Sequence, residues 1–316
     1  MLTRPVSTGG LEYPEGAGGN MNTSDHNTEH LLGIVLVTAS AAVFGLAGVL
    51  TKSIDAPPLV IACWRGLVGA VLMMGYLYWR RGDTGSPQGL KLGWRGWLMA
   101  TIGAASSLAF ITAFKNTYVA NVAIIYATAP FVAALFAWLL MRERVRGQTM
   151  LAAVLSLAGV GLMVFSGLGT GQPFGDALAL VMTATSALYM VLIRTFRDTN
   201  AIWAGAVSAF MVFALAWFVD DPLAVSAHDI VLLGAFGISF ALASILWTEG
   251  ARRVPSAEAG LLGSAEVPFA VLFGWLFLTE LPPAASLIGG AVVLMAVFAH
   301  AGRDWMQARA LRSAGT

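Results

Sequence analysis

The chain has 316 residues, a formal net charge of +1 and a mean hydropathy of +0.76, with 58% hydrophobic and 11% charged residues. A soluble domain would interrupt its apolar residues with polar faces, whereas these fall in blocks of about 20, the length that crosses a bilayer core. Near-neutral charge gives no general affinity for nucleic acid, and a lone cysteine, Cys63, excludes an internal disulfide.

Residues 1–30 are rich in Gly, Pro, Asn, Ser and Thr and carry scattered acids, without the apolar core of a signal peptide. They are expected to form a disordered cytoplasmic tail. Met21 is a second candidate initiator, because MNTSDHNTEH leads directly into the first apolar run. Ten apolar segments follow, at 31–51, 58–79, 97–115, 118–141, 147–167, 175–194, 201–219, 229–250, 254–279 and 284–302. Only helices or closed barrels satisfy the backbone in hydrocarbon, and such continuous runs lack the alternation of a barrel strand. The predicted fold class is an all-α polytopic membrane protein with ten transmembrane helices. Trp79, Trp97, Trp138 and Trp217 fall near segment ends and read as interface anchors.

Lysine and arginine set the orientation. If the N-terminus marks the first side, that side holds fifteen of the 18 Lys and Arg residues. The other side holds only Lys52 and Lys115, and Arg65 lies within the second segment. Both termini are therefore expected in the cytoplasm, with residues 303–316 as a C-terminal tail.

The chain also repeats itself. Tyr126 to Arg144 reads YATAPFVAALFAWLLMRER and Gly263 to Leu281 reads GSAEVPFAVLFGWLFLTEL. Each has a Pro-Phe step (Pro130, Pro268) and ends on a glutamate (Glu143, Glu280), the glutamates lying 137 residues apart. The match extends upstream, with Lys115 on Arg252 and Ile124-Ile125 on Leu261-Leu262. The units are residues 31–167 and 175–302. Five helices per unit is an odd number, so the second unit enters the membrane inverted, the pattern of alternating-access transporters with a midplane site.

These features resemble the EamA-type transporters of the drug/metabolite transporter superfamily. The likeness rests on the two Pro-to-Glu runs, on GDALALVMTATSALYMVLIR from Gly175 to Arg194, and on Arg65 within CWRGL, and spans residues 31 to 302. Phe44-Gly45 stands where the family often has Trp-Gly, and Glu266 is a feature of only some members. The resemblance implies a ten-helix carrier that exports small metabolites, amino acids or drugs.

Six residues are candidates for substrate binding or coupling. Glu266 lies in the centre of the ninth segment, where a charge costs several kcal/mol unless paired or hydrated. It shares a helical face with Ala259, Gly263 and Ala270, the small residues that mark a helix-facing surface. A coupling or amine-binding carboxylate is one reading, and a hydrogen-bonded packing residue the other. Arg65 must find acceptors or water: a substrate carboxylate, Glu266 itself, or helix-end carbonyls. Phe44, Trp64, Tyr126 and Tyr189 are candidate cavity-wall aromatics, and Phe44 matches Tyr189 if Lys52 is set on Arg197. Ordinary core packing is the competing reading for all four. Pro130 and Pro268 are expected to kink their helices and to serve as hinges.

No ATP-binding GxxxxGK[ST] loop, HExxH or clustered Cys/His metal motif occurs in the sequence, so no enzyme, cofactor or metal is expected. The expected function is secondary transport by alternating access, the export of small organic metabolites, amino acid-like compounds or drugs across the inner membrane, with proton coupling through Glu266. The partners are a small-molecule substrate and the lipid bilayer, and the chain acts as a monomer or homodimer. A flippase for a lipid-linked molecule and a non-transporting scaffold or receptor remain alternatives.

Overall fold

The computed structural model describes residues 23–80, 92–142, 147–167, 172–196, 199 and 201–314, and every regular element among them is a helix. Eight stretches are long and apolar enough to cross a bilayer, and the shorter apolar helices Thr149–Leu162 and Trp203–Val219 bring the number to ten. The protein is an all-α polytopic membrane protein. In chain order, span 1 is α1 (Thr23–Gly45) with α2 (Ala47–Ser53), span 2 is α3 (Pro58–Arg80) and span 3 is α4 (Gly93–Asn116). Span 4 is α5 (Val119–Tyr126) with α6 (Ala129–Met141), and span 5 is α7 (Gly147–Gly167). Spans 6, 7 and 8 are α8 (Pro173–Thr195), α9 (Ala201–Val219) and α10 (Ala227–Ala251). Span 9 is α11 (Ser256–Gly263) with α12 (Glu266–Leu278), and span 10 is α13 (Ala284–Ala314). An even number of spans puts both termini on one face, called here the terminal face; the opposite one is the distal face.

Three expectations change. Helix α1 starts at Thr23, inside the stretch expected to be a tail, and Glu29 and His30 make bonds there. Helix α13 continues to Ala314, because Ala, Arg, Gln, Met and Leu after residue 302 contain no helix breaker until Gly315. The prolines do not kink helix interiors. Spans 4 and 9 are interrupted at Ala127-Thr128 and Ser264-Ala265, and Pro130 and Pro268 fall in the first turn of the next helix, where the missing N–H costs nothing. The two interruptions are equivalent in the repeat, as are the left-handed residues that end α6 and α12, Arg142 (φ 55°) and Thr279 (φ 52°). The Met21 initiator and Glu143, which ends the first of the two repeated runs, lie outside the described residues.

Eight spans close into a ring in the order 1, 9, 4, 6, 3, 7, 2, 8, each packed on the next. Spans 5 and 10 pack against each other outside it. The order is what an inverted two-fold requires: exchanging the repeats turns the 1–8 contact into 6–3 and 8–2 into 3–7, while 2–7 and 4–9 map onto themselves. Glycines fix the register. A Cβ on Gly33 would lie 2.7 Å from Cβ of Arg253 and from Val254, and one on Gly175 would lie 2.5 Å from the Asn116 backbone and 2.7 Å from Thr117. Asn116 and Thr117 correspond to Arg253 and Val254 in the repeat, so Gly33 corresponds to Gly175. Phe44 then falls on Ser186 and Tyr189 on Ala47, a one-turn shift from the match expected through Lys52 and Arg197.

Polar clamps tie neighbouring spans at each face. At the distal face the fully buried Asp176 carboxylate accepts from Thr117 Oγ1 at 2.6 Å and Asn121 Nδ2 at 3.1 Å, joining spans 6, 3 and 4. At the terminal face His30 meets Glu258 at 3.1 Å, Arg253 bonds Glu29 and Glu249 at 3.0 Å, and Tyr76 donates to Glu249 at 2.7 Å, joining spans 1, 9, 8 and 2. Hydrogen bonds donated to Glu249 and Glu29 raise the Arg253 pKa above its ordinary value, so its charge persists. Asp176→Ala should lower stability by about 2 kcal/mol by stranding two buried donors, seen as a lower thermal midpoint in detergent.

Candidate functional site

The ring encloses a cavity of about 600 Å³, lined by spans 1, 2, 3, 4, 6, 7, 8 and 9. It runs from mid-membrane toward the terminal face, where its lining residues Met74 and Met190 are 42% and 50% exposed. Beneath it, toward the distal face, an apolar floor packs Ile54, Leu59, Ile61, Ile111, Leu233 and Phe236 from both repeats. Links across that face reinforce the floor. Lys52 Nζ donates to Glu280, which also accepts from the Val119 N–H at 2.8 Å, and Lys115 donates to the Ile54 carbonyl.

Five of the six candidate residues line this cavity: Glu266, Arg65, Tyr126, Tyr189 and Phe44. Glu266 opens α12, where the free N–H groups of a first helical turn favour negative charge. The interruption of span 9 therefore brings a helix N-terminus and a carboxylate to the cavity wall together. Tyr126, beside the matching interruption of span 4, lines the same cavity as Glu266. Arg65 is 7% exposed, donates from Nη2 to Ser107 Oγ at 2.6 Å, and has a buried Nε without a hydrogen-bond partner among the described residues. Its guanidinium carbon lies 5.2 Å from the Phe110 ring, 5.4 Å from Phe236 and 4.8 Å from Phe240. Arg65 and Glu266 do not pair with each other, and neither has a charged partner among the described residues. The ion pair entertained from sequence is not formed, because Arg65 is held among aromatic rings and Ser107.

Trp64 does not line the cavity. Its indole N–H donates to the Pro222 carbonyl at 2.8 Å and its ring packs edge-on against Phe213. The reason is helical geometry: residues 62, 65 and 66 face the cavity, and position 64 points away from them. Trp64→Phe should leave substrate affinity in a transport assay unchanged, and a weaker affinity would return it to the wall. Pro130 and Pro268 are exposed and lie outside the lining. Sequence reasoning missed Ser107, Phe110, Phe236 and Phe240, which carry no charge or motif to distinguish them from packing residues.

The cavity, the ring and the inverted register are features of the whole chain, and comparison with known proteins covers the whole chain too. The model of the EamA-like transporter family matches residues 31–165 and again 173–300. The chain belongs to the EamA-like transporter family. Among relatives of this EamA-like chain, an uncharacterized transporter of Archaeoglobus fulgidus is 25% identical over 281 residues, covering 84% of the chain and 93% of that protein. The uncharacterized transporter YwfM of Bacillus subtilis is 26% identical over 76% of the chain and 83% of its own length. Solute carrier family 35 member G1 of Mus musculus is 20% identical over 87% of the chain and 80% of its own length. A crystal structure at 19% identity superposes with a TM-score of 0.57, covering 86% of the chain and 95% of its own, and thus shares the fold. The EamA-like chain is a membrane transporter.

Proposed function

We propose that this transporter exports small organic solutes, amino acid-like compounds or drugs, by alternating access coupled to protons through Glu266. The observation that carries the reading is the pair of unpaired opposite charges, Arg65 and Glu266, on the wall of one cavity of about 600 Å³. That volume suits a small organic molecule. An ammonium group suits Glu266 and a carboxylate suits Arg65, so zwitterions head the substrate list. Without a nucleotide-binding motif, uphill movement draws on an ion gradient or on exchange.

The packing suggests which bodies move. The clamps bind spans 1, 2, 8 and 9 into one arc of the ring and spans 3, 4 and 6 into another, with span 7 packed on span 3. Each arc draws two spans from each repeat, so the rocking bodies are these arcs rather than the first and second halves of the chain. The arcs meet at 2–7 and 4–9, on the two-fold axis. Taking the terminal face as cytoplasmic, from the Lys and Arg asymmetry, the cavity is inward-facing and the inner membrane is the proposed location. The continuous ring favours a water-borne solute over a lipid-linked one, and an unplugged cavity with both charges on its wall favours transport over a scaffold role. Counterflow in proteoliposomes across amino acids and amphiphilic drugs tests the reading; no movement of any of them would count against it.

A further inference from the structure

Arg65 does more than face the cavity. It lies in the half of α3 nearer the distal face, and with Phe110 and Phe236 it forms the top of the apolar floor. The floor is divided between the two arcs. Arg65, Phe236 and Phe240 belong to the arc of spans 1, 2, 8 and 9, and Ser107 and Phe110 to the opposite one. Within the first arc the packing is tight: a Cβ on Gly69 would lie 2.7 Å from Phe240, and one on Gly237 would lie 2.5 Å from Val68. Spans 2 and 8 therefore move together and carry the guanidinium with its Phe236 and Phe240 rings. Opening the distal face must then pull Arg65 away from Ser107 and Phe110. A guanidinium cannot shed its charge to ease that step, so it leaves Ser107 only for another acceptor. The unpartnered Nε, on the same planar fork as the bonded Nη2, can join it in holding a carboxylate bidentately.

We propose that Arg65 latches the distal floor shut through Ser107, and that the anionic group of a substrate opens the floor by taking the guanidinium from Ser107. This rests on the transport reading above, and it makes one cation both the binding group and the gate. Ser107 is the positioning residue of that gate.

The test places spin labels at Ser53 and Asn116, exposed at the distal ends of α2 and α4 on opposite arcs, in a Cys63→Ala background. Without any ligand, Ser107→Ala should add a longer-distance population, raising the open-to-closed ratio about tenfold for the loss of one hydrogen bond to a buried charge. Ser107→Thr, which keeps the hydroxyl, should restore the closed distance. Benzoate, a plain aromatic carboxylate, should lengthen the distance in the parent protein, and neutral benzyl alcohol should not. In Arg65→Gln, benzoate should have no further effect. The latch is overturned if Ser107→Ala leaves the distances as in the parent, or if the benzoate shift survives in Arg65→Gln. These distances need no transported solute, so failure to find one in counterflow would remove the transport reading and leave the latch measurement readable.

Discussion

Replacing Glu266 with glutamine is expected to abolish uphill transport while leaving exchange. The substitution keeps size and hydrogen-bonding capacity and removes the proton-exchanging carboxyl, so the cavity wall retains its shape. In proteoliposomes with an imposed pH gradient, the parent protein should accumulate its substrate along the direction set by the gradient. Glu266→Gln should only equilibrate it, with counterflow preserved. Equal accumulation by the two proteins would reduce Glu266 to a packing residue. The expectation comes from the site. The carboxylate sits in the first turn of α12, faces the cavity, and has no charged partner among the described residues. A charge held at membrane depth without a partner is costly and is normally kept for use. The structural carboxylates of this chain are met by donors, Asp176 by Thr117 and Asn121, and Glu280 by Lys52 and the Val119 N–H.

Gly175→Ala is expected to be the most damaging of the small substitutions. Its new methyl would lie 2.5 Å from the carbonyl carbon and oxygen of Asn116. Backbone atoms cannot rotate aside as a side chain can, so spans 3 and 6 would have to separate beside Asp176 and loosen the distal clamp. Overpacking of this kind costs about 1–3 kcal/mol, read as a lower thermal midpoint and a smaller folded yield in detergent. Gly161 supplies the control. Nothing lies within 4 Å of a Cβ built there, and Gly161→Ala should be neutral or slightly stabilising. If both alanine variants melt together, close approach at Gly175 is not what holds spans 3 and 6.

The length and order of the spans were legible in the sequence for a plain reason. Hydrocarbon admits only backbones whose hydrogen bonds are internal, so each apolar run long enough to cross had to be a helix. The repeated Pro-Phe and Glu runs made the two units visible, and five spans per unit made the second inverted. Arg65 and Glu266 stood out because charge is rare at that depth. Which way the other side chains faced was not legible. Lipid and protein interior are equally apolar, so an apolar residue gives no sign of which it meets. That is why Trp64 was grouped with the cavity aromatics although it bonds Pro222, and why Phe110, Phe236 and Phe240 went unremarked.

The sequence by itself therefore determined the class, the repeat and the two charges, since each follows from what hydrocarbon forbids. The tertiary structure decided the rest: the ring order, the two arcs drawn from both repeats, the pairing of Gly33 with Gly175, and the binding of Arg65 to Ser107 instead of Glu266. Those features depend on contacts between spans far apart in the chain, chosen by which small residues let two backbones approach and which buried polar groups find one another.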